Sequence, residues 1–109
     1  MQYKYSLPEK KSFETLDILG FAYSDASNNP NVEAMRIIAD GHSGKATTGD
    51  CDRVYLVLVG EGEFTIAEDT FQVVKDDVVM LPKNTDYEYR GSMELFEVNT
   101  PAYPLNDNE

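Results

Sequence analysis

The chain is expected to be all-β, folded as an antiparallel jelly-roll barrel or sandwich. Three observations carry that expectation. Short runs rich in Val, Ile, Phe, Tyr and Thr recur along the sequence. Clusters of Gly, Pro, Asn and Asp separate them. No stretch sustains a helical period: Phe13, Leu16 and Leu19 share a helical phase, but the run is too short to make a helix. Many short strands with short turns and no helix point to a closed or two-layered antiparallel sheet.

In chain order, strands are expected near Phe13–Leu19, Glu33–Ala39, Val54–Gly60, Gly62–Ala67, Thr70–Val74, Asp77–Leu81, Tyr87–Arg90 and Met93–Asn99. Ser24 to Pro30 reads as a loop by composition. Gly41 to Asp52 is a second loop, rich in glycine and poor in apolar residues. Ala67 to Thr70 is a tight hairpin connection. Pro101 to Glu109, with two prolines and a polar end, is expected on the surface.

Length and composition bound the rest. A chain of 109 residues is one domain's worth, and folding a chain of this size buries roughly 65% of its unfolded surface. The 41% apolar content is ordinary for a globular protein. Nine Lys and Arg against twenty Asp and Glu leave a net charge of −11. That balance argues against nucleic acid and against an anionic membrane as partners. No apolar run approaches the roughly 20 residues of a membrane span, and the first residues lack a secretory apolar core. A single cysteine, Cys51, cannot form an internal disulfide, so a cytoplasmic location is expected.

Two separated motifs then carry a resemblance. Val54 to Phe64 reads VYLVLVGEGEF, and Val73 to Thr85 reads VVKDDVVMLPKNT. Both resemble the small cupins, single-domain RmlC-like jelly rolls, and the likeness runs over about residues 33–101. The first cupin motif is Gly, five residues, His-x-His, three or four residues, Glu, six residues, Gly. Counted from Gly41, its ligand slots fall on Thr47, Gly49 and Arg53, and its last glycine on Gly60. The second motif runs from Asp76 through Pro82 and Asn84 and puts Tyr87 in its histidine slot. The frame is kept and all four metal-ligand slots are changed.

Thr and neutral Tyr are poor metal donors, Gly offers none, and Arg53 places a permanent cation where a divalent ion would sit. The resemblance is therefore to a metal-lacking variant, also suggested by Cys51 to Gly62, Tyr89 to Phe96 and Thr100 to Pro104, and no cofactor is expected. On this reading Arg53, Tyr55, Tyr87, Tyr89 and Thr47 line a pocket within the barrel for a small anionic or polyhydroxylated metabolite, without catalysis. Arg53 would either pair with the ligand or form an internal ion pair with an acidic neighbour.

Two alternatives come from other classes. Metal-free cupin epimerases of deoxysugar nucleotides use a tyrosine as general acid. By that resemblance Tyr87 is a candidate proton donor and His42, the one histidine, a weak candidate base. The protein could instead be a structural or regulatory dimer with its pocket closed by its own side chains. Cys51 sits between Asp50 and Asp52, which dulls its thiol. His42, Asp50, Cys51 and Asp52 share a loop but match no metal-binding spacing. The aromatics Tyr3, Tyr5, Phe21, Tyr23 and Tyr103 lie outside the motifs, where they would seal barrel ends or a partner surface. A homodimer is expected through the N-terminal strand or a sheet face.

Overall fold

The structure is a computed structural model and describes residues 2–103. Eight strands form one antiparallel sheet: β1 (Phe13–Thr15), β2 (Ile18–Ala22), β3 (Glu33–His42), β4 (Ala46–Thr47), β5 (Asp52–Ile66), β6 (Asp69–Val74), β7 (Val78–Leu81) and β8 (Asp86–Thr100). The strand order is β1-β2-β3-β8-β5-β6, with β4 added to β8 and β7 added to β5. Among the described residues no helix is long and apolar enough to cross a membrane.

Alternation decides which side chains point inward. On β3, Glu33, Met35, Ile37 and Ala39 are buried; on β8, Tyr87, Tyr89, Met93, Leu95, Glu97 and Asn99 are. Inward residues of β2, β3, β5, β6, β7 and β8 meet in one hydrophobic cluster, so the sheet curls on itself as a jelly roll. Ile37, Val57 and Leu95 are fully buried, each worth about 1.5–3 kcal/mol by burial.

On β5 the inward phase changes partway. Arg53, Tyr55 and Val57 face in; past a bulge between Val57 and Val59 the buried residue is Phe64. Leu58 is the extra residue, because Val57 pairs with Leu95 and Val59 with the adjacent Glu94.

The strands depart from the expected partition in three places. The segment Phe13–Leu19 is a tight hairpin, β1 and β2, turning at Leu16 with φ of 49°. Val54–Gly60 and Gly62–Ala67 are one strand, β5, and Tyr87–Arg90 and Met93–Asn99 are one strand, β8. Gly60 and Gly91 are not turns. They mark a close crossing of backbones: a Cβ at Gly60 would lie 2.1 Å from the Ser92 carbonyl oxygen, and one at Gly91 2.5 Å from the Glu61 carbonyl oxygen. The expected loop Gly41–Asp52 is partly strand, since Gly41 and His42 end β3 and Ala46–Thr47 form β4. Of the expected surface tail Pro101–Glu109, Ala102 is instead buried and Tyr103 lies against Arg53, and residues 104–109 lie outside the described residues.

Candidate functional site

Strand register assembles the site in rows. Glu33 of β3 lies opposite Asn99 of β8, Asn99 opposite Arg53 of β5, and Arg53 opposite Leu81 of β7. In the next row Met35, Glu97, Tyr55 and Val79 stand side by side. Both rows point inward, and their β3, β5 and β8 members, with Tyr87, Tyr89, Thr47 and Tyr103, wall a cavity of about 610 Å³.

Arg53 is 7% exposed and organises this wall. Its Nη1 donates to the Tyr87 hydroxyl at 2.6 Å and to the Thr47 carbonyl at 3.5 Å. Its Nε donates to Asn99 Oδ1 and stands 3.5 Å from Glu97 Oε2. The guanidinium carbon lies 5.3 Å from the Tyr103 ring centroid and 5.8 Å from that of Tyr87, cation–π distances. Asn99 Nδ2 donates to Glu97 Oε2 at 2.9 Å and to Glu33 Oε1 at 3.0 Å. The backbone N–H of Tyr103 adds a bond to Glu33 Oε1 at 3.2 Å. The hydroxyls of Tyr55 and Tyr87 share a hydrogen bond of 2.6 Å.

Burial sets the electrostatics. It opposes the Arg53 charge, but Glu97 and the neighbouring phenols outweigh it and hold the guanidinium protonated. Burial raises the phenols: Tyr55 and Tyr89 with help from Glu97, and Tyr87 against the pull of Arg53. Burial also raises Glu33 above the ordinary glutamate value, opposed by its bonds from Asn99 and Tyr103 and assisted by Glu97.

Arg53, Tyr55, Tyr87 and Tyr89 therefore stand together. Thr47 lines the rim, where its backbone carbonyl meets Arg53 and its hydroxyl accepts from the Gly49 N–H. Of the two outcomes open for Arg53, the ion pair is formed, with Glu97. It does not close the pocket, because the cavity remains beside it.

His42 is not brought to Tyr87. It falls in the outward phase of β3, is half exposed, and lies 3.3 Å from Glu88 Oε1 through Nε2. Its Nδ1 accepts from the Gly44 N–H. The expectation of His42 as a base beside Tyr87 does not match this placement, because strand alternation turns it away. Cys51 is fully buried, and burial raises its thiol, with Arg53 opposing. Among the described residues no three His, Cys, Asp or Glu side chains are grouped to hold a metal ion. The cupin ligand slots do not fit a metal here: two of them, Arg53 and Tyr87, form a cation–phenol pair, and a guanidinium has no lone pair to give.

Sequence reasoning missed Glu33, Glu97, Asn99 and Thr48. The first three fall in the inward phase of their own strands, alternating with Met35 and Leu95, which is the signal that marks them. Thr48 is buried because its hydroxyl donates to the Pro82 carbonyl and accepts from the Thr85 N–H, pinning β4 beside the cavity. Tyr103 lines the pocket, against Arg53.

This architecture is the cupin fold. Among solved structures, Pac13 from Streptomyces, a nucleoside dehydratase, matches with a TM-score of 0.85 at 24% identity, over 98% of this chain and 88% of that one. Pac13 has been solved with uridine in variants that replace a histidine by glutamine or a tyrosine by phenylalanine. KdgF from Halomonas sp. matches with a TM-score of 0.75 at 13% identity, over 87% of this chain and 90% of that one. The cupin domain of Cnp3 from Schizosaccharomyces pombe matches at 0.70 and 15%, over 83% and 69%. No protein-family model and no curated protein sequence matches the chain.

Proposed function

We propose that the protein binds a neutral, hydroxyl-rich small molecule of the nucleoside class in the cavity beside Arg53. One observation carries this reading, the charge inventory of the wall. Its lining residues include a single cation, Arg53, already paired with Glu97, against three acids, Asp25, Glu33 and Glu97. A phosphate or carboxylate would meet more negative charge than positive. A polyol meets an array of hydroxyls and carboxylates suited to its O–H groups, and a base ring meets aromatic side chains. This narrows the sequence expectation of an anionic or polyhydroxylated ligand to its second half. The nucleoside class is drawn from Pac13, whose fold the chain shares.

Thermal unfolding with added uridine and, separately, with uridine monophosphate tests the reading. A ligand that binds only the folded state must raise its stability. Uridine at millimolar concentration is expected to raise Tm, and the monophosphate to leave it unchanged. Equal shifts would overturn the charge argument, and no shift with any nucleoside or free sugar would overturn the binding reading.

A second reading, removal of water from such a ligand, is favoured by the placement of a buried carboxyl, Glu33, in the same wall as the protonated phenols. A carboxylate would take a proton from carbon, the electron pair would form a C=C bond, and the departing hydroxyl would leave as water with a proton from Tyr87. Mass spectrometry of nucleosides incubated with the protein reads the loss of one water. Glu33→Gln and His42→Gln then separate a cavity base from the histidine on the outer face.

A further inference from the structure

The Arg53–Glu97 pair leaves part of its hydrogen-bonding capacity unused. Both residues are 7% exposed, and both line the cavity. Arg53 donates through Nε and Nη1, to Asn99, Tyr87 and Thr47. Its Nη2 has no acceptor among the described residues. Glu97 accepts from Asn99, and meets Arg53, through Oε2. Its Oε1 has no donor among the described residues. A guanidinium nitrogen only donates and a carboxylate oxygen only accepts. Burying either one unpaired is costly. The pair therefore offers one donor and one acceptor, on neighbours of opposite charge, to whatever fills the cavity.

Few chemical groups answer both. An ammonium gives hydrogens and takes none, so it leaves Nη2 unpaired. An ether or ketone takes and gives none, so it leaves Glu97 unpaired. A hydroxyl does both. Two hydroxyls on adjacent carbons make a relay: Nη2–H donates to the first oxygen, its O–H to the second, and the second O–H to Glu97 Oε1. We infer that Arg53 and Glu97 read the vicinal 2′- and 3′-hydroxyls of a ribose, and that Glu97 thereby selects ribonucleosides over deoxyribonucleosides. This rests on the reading of the cavity as a nucleoside site.

The amide edge of a base also sets a donor beside an acceptor, and the lining of the cavity decides between the two ends of the nucleoside. The polar groups Arg53, Glu97 and Asn99 come from β5 and β8. From β1 and β2 come Phe13, Ile18 and Ala22. Phe13 is 39% exposed, and its ring lies on Gly20, where a Cβ would come within 2.0 Å of it. An apolar ring face suits a base, which puts the sugar at the Arg53 side. The arrangement also leaves Glu33 Oε2 unengaged, because Glu33 accepts from Asn99 and Tyr103 through Oε1.

Titration calorimetry of the full chain with uridine, 2′-deoxyuridine, 3′-deoxyuridine and cytidine tests this. Removing either hydroxyl breaks the relay and leaves a buried charged atom unpaired, so each deoxynucleoside is expected to bind about 10–100-fold more weakly than uridine. Cytidine keeps the ribose and should bind much as uridine does. Glu97→Gln, with near-ultraviolet circular dichroism to confirm the fold, should weaken uridine more than the deoxynucleosides and bring their affinities together. Should that variant fail to fold, the wild-type affinities decide alone. Equal binding of uridine and both deoxynucleosides would overturn the assignment and leave the nucleoside reading standing. So would discrimination that survives Glu97→Gln. Loss of binding with cytidine but not with the deoxynucleosides would place the base edge at Arg53 and overturn it too. No binding of any of the four would overturn the nucleoside reading itself, and this assignment with it.

Discussion

The ladder between β5 and β8 is two different sheets on either side of the bulge at Leu58. Beyond the bulge it is conventional: Phe64, Tyr89 and Met93 lie inside, while Glu61, Arg90 and Ser92 face out. Before the bulge the first inward pair, Val57 and Leu95, is still apolar, and then the ladder is inverted: Arg53, Glu97 and Asn99 lie inside beside Tyr55, while Val54, Leu56 and Val98 face out. One strand pair thus stabilises the molecule at one end by excluding water and at the other by a closed set of hydrogen bonds. The inverted end coincides with the cavity. Buried polar groups are costly unless paired, so their concentration at one end marks where the molecule has given up cheap stability for chemistry.

The comparison can be broken first at its polar end. Arg53→Ala leaves Glu97 buried without its cation and should cost about 3–5 kcal/mol in urea unfolding. Replacing the pair together, Arg53→Met with Glu97→Leu, should return stability toward the wild type while abolishing any stabilisation by uridine. If the single substitution is nearly neutral, the inner polar set is not a network. At the apolar end, Met93→Ala should cost about 2–5 kcal/mol by leaving a cavity, with the uridine response intact. Tyr55→Phe removes one buried hydrogen bond, to Tyr87, which keeps its bond from Arg53; about 1 kcal/mol is expected.

The smallest effect is expected at Glu33 and concerns pH. Its folded-state pKa lies above the ordinary value of 4.5, chiefly through burial. Folding therefore favours the protonated form. The contribution to stability is complete below the ordinary glutamate range and is lost as pH rises through the raised value. Glu33→Gln should be more thermostable than the wild type near neutral pH, with the difference shrinking as the buffer is acidified below the glutamate range. A difference independent of pH would show that Glu33 is not a buried carboxylate.

Much of this was open to reading from sequence, and the failures have specific physical causes. Alternation placed Arg53 and Tyr55 on one face, and motif spacing put Tyr87 beside them. The expected strands break at Glu61 and at Gly91–Ser92 because glycine serves two purposes, and close backbone approach leaves no local mark that distinguishes it from a strand end. Leu16 takes a left-handed conformation without being a typical turn residue, so the β1–β2 hairpin reads as one run. Glu33 and Glu97 do not stand out in the sequence because the chain is acidic throughout. Only their phase against Met35 and Leu95 sets them apart, and that test needs strand boundaries to be known first. His42 was assigned to a loop, where its direction is free; as the last residue of β3 its direction is fixed.

The extra residue at Leu58 behaves like a frameshift written in three dimensions. Upstream of it odd-numbered side chains enter the barrel, and downstream even-numbered Phe64 does. Deleting one residue there would leave composition almost untouched. Yet it would exchange inside for outside along half a strand, turning Glu63 or Thr65 toward the core in place of Phe64. Variation among related chains should therefore fall unevenly along β5. Substitutions can be absorbed one position at a time, whereas a change in the number of residues between Val57 and Gly60 must be matched on β8 or abandoned.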